Sequence, residues 1–497
     1  MKFPAVNILL PLSVSICLGW PLDQSPSNKN SNRSNIEKSA AAEQHLRIDT
    51  LIMLGQSAPA EVNGDLLLTL VSSNLIASKE RKMELVEQAF RSAAEAREPL
   101  RRKSWSRQVD TRSGFKQRAF DLELDKLSMQ SKAAVLMIPL DRLRARTMFE
   151  GISLPPIKLL TCEDSLGYNL ESYYMAMLSV AEACFSDDER KAGAHIQFLS
   201  DRLESVKSIP QLVSAMHMLF NAQVSPEERV LLVNVWTKAV GRVSTDARAF
   251  AFVMDRDMFV LSSHLLIGRM ERPGVPTNQF SSAVRSFLIK QLSGEVCTDV
   301  SWLDHGQLTL PDEVANLNSE FTNPITLDDI HPANVGAKAT DVNYWTTPKA
   351  AMLLRSAKEL RFGDGETALS VEQRQTDEWH RKFLDFLELI ESWEPDSEPS
   401  PDDYFQEKCN LYMVLVDLCP DDPQRDVVLR AYGNYLKEKS REYKGRIEWI
   451  LPVKDYLRVL KSKSDKIRRS SLDPWLTSSD VNLRIYGELA LLTSSKN

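Results

Sequence analysis

Glycine is scarce in this chain, 18 of 497 residues, about half the usual share. Phosphate-cradling loops and tight β-turns depend on glycine, because a residue without a Cβ takes positive φ and close backbone approach at no steric cost. Its scarcity argues against nucleotide-binding α/β folds and against all-β folds. Motifs with a fixed chemistry are missing as well. There is no Walker phosphate loop, no Gly-x-Ser-x-Gly elbow, no His-Glu-x-x-His zinc helix and no Cys-x-x-Cys pair. These absences remove the matching NTPase, hydrolase, metalloprotease and thiol-redox readings, and leave enzymes whose catalytic groups are dispersed. No strong charge excess is present either. The formal net charge is −7, whereas a nucleic-acid-binding domain is normally basic. We therefore expect no cofactor, no bound metal and no nucleic-acid partner.

The amino terminus carries Lys2 and then an apolar run of Ile8, Leu9, Leu10, Leu12, Val14, Ile16 and Leu18. The run is shorter than the ~20 residues that span a bilayer, and Gly19 supplies a small residue for cleavage. Residues 1–19 read as a secretory signal peptide, so the chain is expected to be secreted or periplasmic. Three other readings stand beside it: a lipid anchor at Cys17, for which Ile16 is the wrong preceding residue; an uncleaved anchor; and a buried N-terminal segment. Membrane contact is expected only through this segment, if it is retained. In residues 20–39, the stretch Asp23 to Ser39 is rich in Ser, Asn and Lys, a composition that predicts a disordered tether.

Six cysteines occur, and Cys17 falls in the leader. The rest are Cys162, Cys184, Cys297, Cys409 and Cys419, an odd set that leaves at least one thiol without an internal partner. Cys409 and Cys419 fall on one predicted helix, ~15 Å apart, beyond the ~7 Å a disulfide allows. Cys162 and Cys184 sit at opposite ends of another. Cys162 with Cys297 is the remaining favoured pair. The alternative is that all five are small buried apolar residues.

What the chain does have is helical periodicity. Leu166, Leu170, Tyr173, Tyr174, Met177, Leu178, Ala181, Cys184 and Phe185 recur at three- and four-residue spacing, one stripe of a helix predicted over Ser165 to Phe185. Ser186 with Glu189 is a capping box opening a second helix, with Ile196, Leu199, Leu203 and Val206 on its buried face. Pro210 starts a third helix and Ser225-Pro226 a fourth, closed by Glu228. The fifth is predicted to start near Thr245 or Asp246, with Ala247, Phe250, Ala251, Met254, Met258, Leu261 and Leu265 as its stripe. Start signals roughly twenty residues apart predict antiparallel hairpins of roughly forty residues. No recurring residue signature is legible at that period, and the tetratricopeptide pattern is absent.

The predicted organisation is therefore all-α: irregular stacked helical hairpins, α-solenoid-like or a multi-lobed array. Residues 40–156 form an N-terminal helical region and 157–293 a central helical block. An irregular connector follows at 294–346, then helices at 347–394. An acidic, proline-rich linker at 395–402 leads to a C-terminal helical region at 403–497. Two cap-plus-proline starts are predicted in that last region, at Asp422-Pro423 and Asp473-Pro474. The run from Arg146 to Pro155, followed by Cys162-Glu163-Asp164, resembles uncharacterised signal-bearing bacterial helical proteins. That resemblance implies an exported helical chain and carries no activity with it.

Two groups of residues are candidates for chemistry. Asp304, His305, Asp328, Asp329 and His331 bring histidine and carboxylates together in the connector, the arrangement a metal or an acid–base site would use. The opposing reading is a structural hinge. Arg101, Arg102, Lys103, Trp105 and Arg107 form a basic cluster around an indole, suited to an anionic surface; the opposing reading is a solvated face. The function expected from these features is an exported helical scaffold whose partner is another protein. The alternatives are an α/α-toroid carbohydrate enzyme, with a carboxylate pair from Asp304, Asp328 or Asp329, and a structural protein of the cell envelope.

Overall fold

The computed structural model describes residues 29–96, 101–102, 123–154, 165–166, 170–243, 253–270, 277–293, 295–296, 310, 312–331, 333–334, 348–365, 367–394, 401–442 and 447–494. Twenty α-helices occur among the described residues. The only extended pairings among them are two-residue bridges. β1 (Arg101–Arg102) pairs antiparallel with β2 (Ser165–Leu166), and β3 (Glu295–Val296) pairs parallel with β4 (Ala333–Asn334). The fold is all-α.

The chain divides into two compact units, Met1–Thr50 and Leu51–Asn497. The described part of the first is helical. It belongs to α1 (Lys29–Gly55), so residues 29–39 are helix where composition predicted a tether. The physical reason is the lack of helix breakers. After Pro26 no proline occurs before Pro59 and no glycine before Gly55; Ser and Asn lower helix propensity without breaking a helix, and Lys favours one. Leu46 of this helix is exposed.

In the second unit α2 (Ala60–Ser72), α3 (Lys79–Ala94), α4 (Lys126–Met137) and α5 (Arg142–Glu150) come first. The central block holds α6 (Leu170–Ala183), α7 (Asp187–Lys191), α8 (Ala194–Glu204), α9 (Ile209–Asn221), α10 (Pro226–Val240), α11 (Val253–Met270) and α12 (Thr277–Leu292). Here the sequence expectation needs three corrections. Ser165 and Leu166 are extended, and the helix starts at Leu170. The helix opened by Ser186 stops after five residues, because Gly193 at φ +75° turns the chain into α8. Finally, Leu261 and Leu265 are 54% and 39% exposed, while Phe259, Val260, Ser263, Leu266, Ile267 and Met270 face inward. An apolar stripe shows only that one face is greasy. Which face a neighbour covers is decided by the neighbours.

These helices pack in two rows. α4, α6, α9 and α11 are neighbours in that order, and α8, α10 and α12 are neighbours beside them. Within hairpins α6 packs on α8, α9 on α10 and α11 on α12. Trp236 of α10 sits fully buried where four of these helices converge. Its ring lies 5.3 Å from Phe280 of α12 and 6.1 Å from Phe259 of α11, and its indole N–H donates to Leu212 O of α9 at 3.2 Å.

After α13 (Asp312–Leu317) come the C-terminal helices. They are α14 (Pro348–Phe362), α15 (Asp377–Glu391), α16 (Pro401–Leu418), α17 (Asp422–Lys439), α18 (Ile447–Lys461), α19 (Asp465–Leu476) and α20 (Val481–Ser494). α14, α16, α18 and α20 are neighbours in order, and α17 packs on α19. An aromatic seam fills the space between them. Tyr412 stacks on Tyr432 at 5.1 Å, Tyr432 meets Tyr456 edge-on at 5.3 Å, and Tyr456 lies 5.0 Å from Trp475. Gly433 is needed there: a Cβ would fall 2.6 Å from the Tyr456 hydroxyl. Asp473-Pro474 does not start a helix. The cap is Ser464, which accepts from Ile467 N, and Pro474 lies in the last turn of α19.

Candidate functional site

The structure places Asp328, Asp329 and His331 on a short 3-10 turn, Leu327–Asp329, and the residues after it. Asp329 is the hub. Its Oδ2 accepts from Thr326 N at 2.9 Å, from Thr326 Oγ1 at 3.1 Å and from Arg285 Nη2 of α12 at 3.1 Å. The Thr326 amide first, and Arg285 further down, hold this carboxyl below the usual carboxylate range. Arg285 also donates to Asn323 O, and the His331 amide donates to Ser293 Oγ. Asp328 and the His331 side chain are exposed. This is the chemistry of a clip fastening the connector to α12. A glycosidase acid needs a carboxyl raised toward neutrality, and Asp329 is displaced the other way. Asp304 and His305 lie outside the described residues.

Of the basic cluster, Arg101 and Arg102 form β1, whereas Lys103, Trp105 and Arg107 lie outside the described residues. Cys162 and Cys297 do as well. Cys184, Cys409 and Cys419 are buried free thiols, and burial pushes Cys419 up to about 12, which keeps it unreactive at neutral pH.

Histidines on helices are drawn to carboxylates of other elements. His217 Nδ1 of α9 lies 2.7 Å from Glu171 of α6, His264 Nδ1 of α11 3.1 Å from Glu320, and His195 Nε2 of α8 3.1 Å from Glu228 of α10. His195 is buried, and its Nδ1 has no partner. Burial, then the Arg190 charge, hold it below its ordinary 6.5, against the pull of Glu228. Between 6.5 and that lowered value the unfolded chain binds more protons than the folded one, so stability falls as pH falls through this window. We expect the thermal midpoint to drop between about pH 7.5 and about pH 5.5, and His195→Gln to flatten the drop. An unchanged slope in the variant would show that other groups set it.

What sequence reasoning missed is a joint that recurs between consecutive helices. It reads Ser186-Asp-Asp-Glu-Arg190, Ser225-Pro-Glu-Glu-Arg229, Asp421-Asp-Pro-Gln-Arg425 and Ser464-Asp-Lys-Ile-Arg468. In each, the first residue caps the new helix by accepting from the amide three residues on. The arginine one place further reaches back to the last carbonyls of the helix before. Arg190 donates to Ala181 O and Glu182 O of α6, and Arg229 to Leu219 O and Ala222 O closing α9. Arg425 donates to Val416 O and Cys419 O closing α16. Arg468 donates to Leu460 O, Lys461 O and Lys463 O closing α18.

A helix ends with four carbonyls lacking intrahelical partners and with partial negative charge, and the guanidinium fork offers five donors and a positive charge. The cap turns the chain back on itself, which carries the fifth residue of the joint within reach. Ser370-Val-Glu-Gln-Arg374 is a variant in which Arg374 donates across to Leu418 O. Lys408 serves α15 likewise. Its ammonium, buried beneath the Tyr435 ring, donates to Glu391 O at 2.9 Å and Trp393 O at 3.0 Å. Burial lowers its pKa, yet both carbonyls and the Tyr404 hydroxyl engage it. It is a tie rather than a poised nucleophile. The signal was in the sequence all along, as an arginine four residues after a capping Ser or Asp. It escapes a search for apolar periodicity because it lies outside the stripes.

Compared with known proteins, the chain matches no family model, no curated protein and no solved structure. Among the described residues no group of three or more His, Cys, Asp or Glu side chains is placed to hold a metal ion. Nor is any described helix long and apolar enough to cross a membrane.

Proposed function

We propose that this protein is a helical-repeat scaffold that is exported and presents its helix rows to another protein. The observation that carries this reading is the recurring arginine joint. Arg190 and Arg229, like Arg425 and Arg468, lie about forty residues apart, the period of stacked helical-pair repeats. The joined helices pack in rows, α6 to α9 to α11 and α16 to α18 to α20. Such arrays bury one face of each hairpin on the next and leave long surfaces for recognition. The buried charges Arg468 and Lys408, and the half-exposed Asp329, fasten elements to one another. Leu261 and Leu265, one turn apart and exposed on α11, supply apolar contact at such a surface.

The test is photo-crosslinking in the native host from residues placed at 261 and 265, with fractionation of the same cells. The reading predicts one dominant protein adduct and a chain recovered outside the cytosol, trimmed near Gly19. Adducts that track general protein abundance would sink the scaffold, and a full-length cytosolic chain would sink export. Turnover of a polysaccharide panel by purified protein would replace the scaffold with the carbohydrate-enzyme alternative, which is exported too.

A further inference from the structure

One seam in the Leu51–Asn497 unit is built differently from the rest. Within the helical rows, the facing cores are mainly apolar or aromatic, Trp236 with Phe259 and Phe280, Phe259 with Phe287, Tyr412 with Tyr432, and the polar contacts there are single histidine–carboxylate pairs, His195 with Glu228 and His217 with Glu171. Where α2 packs on α20, polar groups gather instead. Lys454 Nζ of α18 lies 2.8 Å from Asp65 Oδ1 of α2, with the side chains 19% and 8% exposed. The Tyr486 hydroxyl of α20 stands beside the same carboxylate. Burial, then the charges of Asp65 and Glu61, hold that phenol protonated far above its ordinary range. Glu61, one turn before Asp65, is buried too. One turn before Tyr486, the side-chain carbonyl of buried Asn482 has no partner. The residues joined here are separated by nearly the whole unit, so the seam ties its first helices to its last.

We infer that the contact of α2 with α20 is a latch: a polar seam that opens and closes as a unit while the helical rows on either side stay folded. A buried ion pair roughly breaks even against solvation. On opening, Asp65, Lys454, Tyr486 and Asn482 regain water, and Asn482 gains a bond it lacks when closed. Parting Trp236 from its aromatic neighbours recovers nothing of the kind. Sub-global openings follow the cheapest seams, and polar contacts of this sort resemble those between separable domains. The inference goes beyond the scaffold proposal and stands whether or not a partner protein exists.

Native-state hydrogen exchange on the full-length protein, followed by mass spectrometry, tests it. In the wild type, residues 60–72 and 481–494 should exchange together, and faster than 209–240. Lys454→Met leaves Asp65 buried without its ammonium, and should accelerate both segments by about tenfold or more while leaving 209–240 unchanged. Adding Asp65→Asn should return most of that gain, because no unpaired charge then remains. Acceleration of all segments equally, or of none, would overturn the latch. If Lys454→Met fails to fold, exchange in the wild type decides alone: segment 481–494 among the slowest, or exchanging apart from 60–72, overturns it.

Discussion

Trp236→Ala is expected to lower the stability of the central block by about 3–5 kcal/mol, the range for removing a fully buried tryptophan. The side chain is 0% exposed, and it touches elements far apart in the chain. Its ring packs on Phe259 and Phe280, and its N–H caps nothing exposed: it donates to Leu212 O inside α9. Truncation opens a cavity lined by three helices that also hold one another, so the walls have little freedom to collapse. Trp236→Phe keeps most of the ring volume and loses the hydrogen bond, and should cost about 1–2 kcal/mol. Denaturant unfolding followed by circular dichroism, with hydrogen exchange in 209–240 to localise the effect, checks both. A loss under about 1 kcal/mol for the alanine variant would mean that these helices do not share a core at Trp236.

Arg468→Met is expected to cost about 2–4 kcal/mol, since a buried acceptor stripped of its donor costs about 1–3 kcal/mol and several lose it together. Methionine keeps the apolar stem, so the variant isolates the guanidinium. Lys461 O and Lys463 O lose the guanidinium, Leu460 O keeps only the Lys463 amide, and Asp465 loses its ion-pair partner. The joints should rank by exposure. Arg468 has a side chain only 10% exposed, against 22% for Arg425, so Arg425→Met should cost less. Arg468→Lys should recover only part, because a point charge cannot span carbonyls that a planar fork bridges. Wild-type stability in Arg468→Met would reduce the joint to ornament, and would remove the main support for the repeat reading.

Much of the central block was legible because its signals are local. Ser186 and Ser225 cap helices through amides three residues away, Pro210 lies in the first turn of α9, and a capping box needs nothing beyond its own turn. The buried set of α15, Trp379, Phe383, Phe386, Leu387 and Ile390, likewise follows from spacing alone. Failures came where a neighbour decides. Leu261 and Leu265 continue the apolar spacing of α11 yet face outward, because α9, α12 and α13 cover the opposite side. For Asp329, a candidate from its nearness to His331 in an unpatterned stretch, spacing could not show its bonding partners. Thr326 and Arg285 make it a cap, and Arg285 is on a helix more than forty residues earlier.

By itself the sequence determined that this protein is made of helices, where several of them begin, and which chemistries lack their motifs. Those properties rest on interactions within a few residues: side-chain caps, a proline in the first turn, apolar spacing. Only the tertiary structure decided which stripes are covered, which arginines close which helix ends, and that Asp65 meets Lys454 across the unit. Contacts between distant segments depend on how whole helices stack. That stacking is a sum over many weak apolar contacts, no single one of which is written in the local spacing.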